Sequence, residues 1–294
     1  MLATKQRTLH YAVRKEEVLR SVYRLKKSLL SLIGLAICLG MVGMAIFAPS
    51  LAPYPRDAGK VVHFDRAFTP PNGEHPFGTD QIGRDILSRT IYGARVSLSL
   101  GFIVITLAIL IGVPLGLIAG YFGGIVDTLI MRTTDVFLAL PSLVLALAVS
   151  AALEPSYWHT VVAISFGWWT WYTRLVRGEV LSLKEEQFVE AARSIGAGKF
   201  YLAFREILPN TLSVIIVKAT LDIGYAILVG ASLGFLGLGV QPPTPEWGTM
   251  VADGRQYLPE RWWVTTFPGL AVFITVIGFN LLGDGLRDIF DVEL

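Results

Sequence analysis

Two pairs of oppositely charged residues stand inside otherwise apolar stretches of this sequence. Arg132 and Asp135 are three positions apart, and Lys218 and Asp222 are four positions apart. On a helix, both spacings place the two side chains on one face, where a cation can neutralise a carboxylate. Such pairs act either as structural braces or as charged positions along a path for a solute or ion. Asn280, in another apolar stretch, has two similar interpretations: it lines a path or bonds a neighbouring helix.

A second charged cluster, made of Asp80, Arg84 and Asp85, lies in a polar stretch. Carboxylates next to an arginine suggest a metal or substrate site. Because Arg84 stands close to both carboxylates, internal neutralisation is the better interpretation, and we expect Thr79 or Asp80 to cap a short helix here. A docking surface for another protein is the alternative.

A stiff turn with three prolines, at residues 241–248, contains Glu246 and Trp247. Proline fixes the backbone, and tryptophan is typical of the membrane–water interface. We therefore expect this turn to lie outside the membrane and to contact a docked partner. The four histidines are scattered and Cys38 is the single cysteine, so the sequence predicts no metal site and no intrachain disulfide.

The composition indicates what kind of scaffold carries these residues. Of 294 residues, 53% are hydrophobic and only 16% are charged, and the mean hydropathy is +0.57. So little polar surface cannot coat a water-soluble globule of this size, which predicts an integral membrane protein. The net charge of +2 gives no reason to expect nucleic acid as a partner.

Six stretches are long enough and apolar enough to cross a bilayer as helices, which need about 20 residues each. The basic tail at 1–28 is expected in the cytoplasm, and an even number of spans places both termini there. The transmembrane domain then covers 29–294. Glycines at 112, 116 and 120 leave one face of the second span open to close helix packing, and Pro141 interrupts the third. The predicted spans are about 29–49, 97–121, 129–153, 159–175, 212–239 and 264–282.

The segment 186–210, between the fourth and fifth spans, is too long and amphipathic to be a simple connection. Apolar residues recur at helical spacing on both sides of Gly196, which predicts two short helices meeting at a glycine turn. Pro209 stands where the fifth span is expected to begin. A helix lying on the membrane surface is the simpler alternative. The stretch 196–199 lacks the residues of a phosphate-binding loop, so we expect no ATP site in this chain.

Within this segment, the order of residues resembles the EAA loop of permeases of binding-protein-dependent ABC importers. The resemblance continues along most of the chain, at 75–101, 117–147, 231–250 and 267–288, in motifs such as HPFGTDQIGRDILSRTIYGARVSLSLG. These motifs are similar to the dipeptide, oligopeptide and nickel group, and most similar to its second, C-type permease subunit. The residues that match the loop are Glu190, Ala191, Ala192, Gly196, Leu208 and Pro209.

The resemblance implies an all-α protein with a type I ABC importer permease fold, in the inner or plasma membrane of a prokaryote. It implies four partners besides lipid: a homologous second permease, two cytoplasmic ATPase subunits that bind ATP and Mg, and an external solute-binding protein. The six loop residues would couple ATP hydrolysis to transport, with Ala192 facing the ATPase. The chain itself would carry no cofactor and no enzymatic activity.

Other functions stay open at this stage. An ion-coupled secondary transporter using Asp135 and Asp222 is one alternative, and a membrane scaffold is another. The absence of inverted repeats makes the secondary transporter less favoured. Short peptides are the expected substrate class, with nickel, glutathione and oligosaccharide as alternatives.

Overall fold

The computed structural model describes residues 28–290, and these form helices joined by turns, with one isolated β-bridge between Thr79 and Asp85 and no β-strand. The predicted basic tail therefore lies outside the described residues except for Ser28, which caps the first helix. The helices are α1 (Leu29–Ile46), α2 (Ile86–Phe122), α3 (Gly124–Leu138), α4 (Ser142–Ala151), α5 (Tyr157–Leu183), α6 (Gln187–Ser194), α7 (Lys199–Phe235), α8 (Trp247–Gly254) and α9 (Trp263–Phe290).

Four helices, α1, α2, α7 and α9, are long and apolar enough to cross a membrane. The pair α3 and α4 adds a fifth span if it is taken as one, although it is bent by 81°. The break falls at Pro141, which precedes α4, so the predicted interruption of the third span is confirmed. The fourth predicted span, 159–175, lies within α5, which is 27 residues long and is not among these apolar helices. It is less apolar than the others because its last turns carry Arg174, Arg177 and Glu179.

The glycines of α2 allow α5 to pack closely against it, as the sequence predicts. A Cβ atom added at Gly116 would lie 2.6 Å from the carbonyl oxygen of Thr173, and one at Gly120 would lie 2.9 Å from Val180. Both distances are shorter than van der Waals contact, so neither position accepts a side chain without moving α5. Gly112 meets α5 in the same way.

Helices α1 and α9 approach each other by the same means. A Cβ atom at Gly34 of α1 would lie 2.5 Å from the backbone nitrogen of Leu282, and one at Gly278 of α9 would lie 2.5 Å from Ile37. Small residues on both helices let the two backbones come together. This contact fixes the first span of the described chain on the last.

The α-helical part of the fifth span begins at Leu208 with Pro209 in its first turn, as the sequence predicts, and a further helical stretch from Lys199 runs directly into it. Helix α7 is continuous from Lys199 and contains a π-helical stretch at Leu202–Ile207. There the Leu208 N–H donates to the carbonyl of Ala203, five residues back. The wider turn relieves the crowding that a proline causes inside an α-helix, so the helix continues through it. Leu208 is half-buried and Pro209 is exposed.

Candidate functional sites

Helix α6 lies at the end of the bundle where α2 finishes, and it has one inward and one outward side. Val189 is fully buried and anchors the helix, whereas Glu190 and Ala191 are exposed. Ala192 is half-buried and packs against the core. The expected contact of Ala192 with an ATPase subunit stays a prediction, and only part of its side chain is open to such a contact. Ala192 stands three residues after Val189 and shares the inward side of the helix with it, which leaves Ala191 as the exposed alanine.

Gly196 ends α6 in the way that the predicted glycine turn requires. Its N–H donates to the carbonyl of Arg193 at 3.0 Å, and the N–H of Ala197 donates to that of Ala192 at 3.1 Å. These two bonds form a Schellman motif, in which the residue after the helix cap takes a left-handed conformation. Gly196 has φ of +87°, a value that glycine adopts freely.

Large apolar side chains remain exposed around this turn. Ile195 is 87% exposed and Phe200 is 69% exposed, and Phe188 and Phe204 are exposed as well. We call these four residues the EAA patch. An open cleft of about 470 Å³ adjoins the patch, next to Phe122 at the end of α2. A cluster of exposed apolar residues of this kind is typical of a protein–protein contact surface.

Lys218 and Asp222 pair on one face of α7, as their spacing predicts. The Lys218 Nζ atom lies 2.5 Å from Oδ1 of Asp222. The other carboxylate oxygen, Oδ2, accepts a hydrogen bond of 3.3 Å from Nε1 of Trp168 on α5. Tyr172 is buried near this carboxylate, but its hydroxyl has no hydrogen-bond partner among the described residues. The pair therefore ties α7 to α5 in addition to neutralising a buried charge.

Asp135 pairs across helices, so the predicted pair with Arg132 is wrong. Its Oδ1 atom lies 2.5 Å from Nη2 of Arg174 on α5. Three residues further along α5, Arg177 makes two bonds to Asp127 of α3, at 2.5 and 2.7 Å. The two arginines, three residues apart on one face of α5, reach α3 and take its carboxylates. Asn280 is exposed on α9.

The cluster that contains Asp80 and Arg84 lies at the opposite end of α2 and is buried. The Arg84 Nε atom lies 2.7 Å from Oδ2 of Asp80, and Arg89 approaches the same oxygen at 3.6 Å. Internal neutralisation is therefore confirmed. The capping residue is Asp85, since its Oδ2 accepts from the Ser88 N–H at 2.7 Å, and the prediction of Thr79 or Asp80 as the cap is wrong. The cap lies five residues after Asp80, because residues 80–84 form a tight turn closed by the bond from the Gly83 N–H to the Asp80 carbonyl.

Glu246 and Trp247 are also buried, which corrects their prediction as exposed docking residues. Glu246 caps α8 by accepting from the N–H groups of Gly248 and Thr249, at 2.9 and 2.8 Å. The Trp247 ring lies against α2, where its Nε1 donates to the carbonyl of Thr90 at 2.9 Å. Both side chains join α8 to the bundle. The five residues predicted to dock a partner are all buried, so none offers its side chain to one: Asp80, Arg84, Asp85, Glu246 and Trp247.

Burial affects the acidity of two carboxyl groups at this end. It raises the pKa of Glu246 above its ordinary value, although hydrogen bonds from Gly248 and Thr249 partly oppose the shift. Burial also raises the pKa of Asp253, and the nearby Arg89 opposes that shift. Within residues 28–290, no group of three or more His, Cys, Asp or Glu side chains is arranged to hold a metal ion.

Sequence reasoning missed several residues of these sites. Arg174 and Arg177 carried a signal, because two arginines three positions apart near the end of a span are rare without carboxylate partners. His75 contacts Asp85 and Trp168 contacts Asp222, and neither contact leaves a trace in local spacing.

Comparisons with known proteins cover most of the chain. A family model for the binding-protein-dependent transport system inner membrane component matches residues 112–293, and one for the N-terminal TM domain of oligopeptide transport permease C matches residues 18–71. One relative is a dipeptide transport system permease protein, DppC, of Alkalihalophilus pseudofirmus. It is 46% identical over 92% of this chain and 88% of its own length.

Two further relatives have related names. The probable D,D-dipeptide transport system permease protein DdpC of Escherichia coli is 44% identical over 92% of this chain and 90% of its own length. The glutathione transport system permease protein GsiD of Pectobacterium atrosepticum is 44% identical over 86% of this chain and 84% of its own length.

A solved structure agrees with these comparisons on the fold. A chain of the inward-facing MetNI methionine ABC transporter superposes with a TM-score of 0.57, covering 69% of this chain and 97% of that chain, at 18% identity. The expected ABC importer permease fold is therefore confirmed. Together with the long apolar helices, these matches show that this multi-pass membrane chain belongs to the family of binding-protein-dependent transport system inner membrane components.

Proposed function

We propose that this chain is the permease subunit of an ATP-driven, binding-protein-dependent importer of dipeptides. The observation that carries the proposal is the similarity to DppC-type permeases over nine-tenths of the chain. The subunit forms half of the pathway, and a homologous second permease forms the other half. Glutathione, itself a short peptide, is a second candidate substrate because GsiD permeases are nearly as similar.

The EAA segment, residues 186–210, transmits ATP hydrolysis to the membrane helices. Its anchor at Val189 and its exposed EAA patch suit a segment held by the bundle and covered by another protein. Two cytoplasmic ATPase subunits, which bind ATP and Mg, supply that cover and the energy. The coupling residues are Glu190, Ala191, Ala192, Gly196, Leu208 and Pro209.

The proposed orientation places both termini and the EAA segment in the cytoplasm of a prokaryotic cell, with residues 52–85 and α8 outside. The basic tail at 1–28 and the arginines at the EAA end of α5 support this orientation, since positive charge favours the cytoplasmic side. The external solute-binding protein then docks at the end that carries α8. The transmembrane domain covers residues 29–294.

Reconstitution tests the proposal directly. The chain, its second permease and both ATPases are placed in liposomes, and uptake of a labelled dipeptide is measured with the binding protein present. We expect uptake to require ATP and to persist when ionophores collapse all ion gradients. Uptake driven by an ion gradient without ATP would overturn the proposal and favour a secondary transporter using Asp135 and Asp222.

A matched pair of surface variants tests the EAA patch. Ile195→Glu places a charge in the patch, and Phe64→Glu makes the same change at an exposed apolar residue near the other end of α2. Ile195→Glu is expected to lower the amount of ATPase that co-purifies with the chain, whereas Phe64→Glu leaves it unchanged. Equal ATPase retention in both variants would show that the patch does not bind the ATPases.

A further inference from the structure

The ion pair on α7 is more exposed at its cationic end. The Asp222 side chain is 6% exposed, and the Lys218 side chain is 27% exposed. Asp222 is bonded through both oxygens, to Lys218 and to Trp168, and Tyr172 lies beside it. The Asp222 carboxylate is therefore held inside the protein, whereas the Lys218 ammonium remains partly accessible at the surface of α7.

One half-exposed aromatic ring lies beside this ammonium, and a second lies two turns further along the same face of α7. The Lys218 Nζ atom lies 6.0 Å from the centre of the Trp171 ring, and Tyr225 stands one turn beyond Asp222 on the same face of α7. Both rings are 47% exposed, and Tyr225 packs on Trp168 at 5.3 Å. Aromatic faces next to an ammonium suit a ligand that combines a carboxylate with an apolar or planar group.

The ion pair between Arg174 and Asp135 does not change this preference for a carboxylate. Arg174, one turn along α5 from Trp171, is half-exposed, and its carboxylate partner Asp135 is equally exposed. These two charges neutralise each other, as Lys218 and Asp222 do, but the Lys218 ammonium has three N–H donors and Asp222 takes one of them, so the others remain available to an acceptor. An ammonium only donates hydrogen bonds, so these donors suit a carboxylate and offer no ligand atom to a metal ion.

We infer that Lys218, with Trp171 beside it and Tyr225 two turns further along α7, binds the carboxylate of a peptide as it passes along this face. The inference rests on the proposed function and names a substrate position within that pathway. Trp168 fixes Asp222, and Asp222 in turn holds the ammonium in place. While the peptide passes, Lys218 bonds both Asp222 and the substrate carboxylate. Dipeptides and glutathione carry the required carboxylate, whereas a bare nickel ion does not.

The first test removes the charge without leaving an unpaired one. Because Lys218→Met alone would bury a lone carboxylate, the informative variant is Lys218→Met with Asp222→Asn, and Lys218→Arg keeps the cation. Thr220→Val on the same helix is the control. A dipeptide and its C-terminal amide are each preloaded on the binding protein, so that the preference of that protein does not enter, and delivery into liposomes is measured.

We expect the double variant to deliver the free acid at least tenfold more slowly than the wild type and to lose the difference between acid and amide. Thr220→Val stays within about twofold of the wild type, and Lys218→Arg, which keeps the cation, keeps the preference for the acid over the amide. Wild-type delivery by a double variant that retains its ATPases and hydrolyses ATP would overturn the inference and leave the proposed function intact. Delivery by the wild type without ATP would overturn the proposed function itself.

A second measurement does not depend on the stability of the double variant. Tyr225→Cys is introduced together with Cys38→Ala, and the rate of thiol alkylation is followed in the assembled complex during ATP turnover. The free dipeptide is expected to slow alkylation at position 225, and the amide is not. Leu110→Cys, exposed on α2, serves as the control and shows no protection. Equal protection by acid and amide, or none by either, would contradict a carboxylate site at Lys218.

Discussion

His75 and Asp85 form a buried pair at the start of α2, with Nδ1 of the histidine 2.9 Å from Oδ1 of the aspartate. The second carboxylate oxygen of Asp85 caps α2 through the Ser88 N–H, and its own N–H donates to Asp57 at 2.8 Å. One side chain therefore joins the polar connection before α2 to the helix itself.

Replacing Asp85 by alanine should destabilise the protein more than an ordinary surface change. The variant loses a helix cap and leaves a buried histidine without its partner, which together cost about 1–3 kcal/mol. Asp65→Ala is the control, because the Asp65 side chain is 77% exposed and lies 3.9 Å from Arg66. The thermal midpoint in detergent is expected to fall for Asp85→Ala and to stay near the wild type for Asp65→Ala. Equal midpoints would contradict the bracing role of Asp85.

Gly196→Val should impair coupling while the bundle stays folded. A β-branched residue at φ of +87° costs on the order of 1–2 kcal/mol, and the strain is confined to the turn after α6. Gly198→Ala is the matched control, because Gly198 has φ of −70° and open space around it. We expect peptide imported per ATP hydrolysed to drop for Gly196→Val only. An unchanged ratio in both variants would mean that this turn has no part in coupling.

Gly116→Val should disrupt the contact between α2 and α5. Its Cβ atom alone would lie 2.6 Å from a backbone oxygen of α5, where no side chain can move aside. Gly178→Ala, on α5 itself, meets no atom within 4 Å and removes a flexible residue from a helix, which stabilises by about 0.5–1 kcal/mol. Thermal midpoints should therefore move in opposite directions. A normal midpoint for Gly116→Val would show that the two helices can separate without cost.

Glu246→Gln should change how stability depends on pH. Burial raises the pKa of Glu246 in the folded state, so the folded protein favours the protonated carboxyl group. The stability that the protonated group contributes is lost as the pH rises through the raised pKa. Glutamine does not titrate. As the pH rises from about 4, the thermal midpoint of the wild type should therefore fall relative to that of Glu246→Gln. Parallel curves would indicate that Glu246 titrates alike in the folded and unfolded chains.

The sequence was informative where a feature is local to one helix. The spacing of Lys218 and Asp222, the glycines of α2 and the break at Pro141 are each properties of a single stretch, and the structure confirms all three. The glycine turn in segment 186–210 was also predictable, because it depends only on the backbone conformation of the turn itself.

Features that depend on which helices become neighbours were not predictable. Asp135 had an arginine within reach on its own helix, yet α5 brings Arg174 closer. Trp247 has the type expected at a membrane surface, but the missing side chain of Gly93 leaves a space on α2 that the indole occupies. Spacing along one chain gives the pairs that are allowed, and tertiary packing selects among them.

Because α7 is continuous, a tilt of the helix at the glycine turn also moves the residues around Lys218. The helix runs unbroken from Lys199, at the glycine turn, through Lys218 and onward to Phe235. At 1.5 Å per residue, Tyr201 and Lys218 are about 25 Å apart, so a tilt of about 10° at the EAA end displaces Lys218 by about 4 Å. A displacement of that size is enough to move an ammonium into or out of hydrogen-bonding distance of a carboxylate. Under the proposed function, contact between Lys218 and the peptide carboxylate therefore depends on the position of the EAA segment.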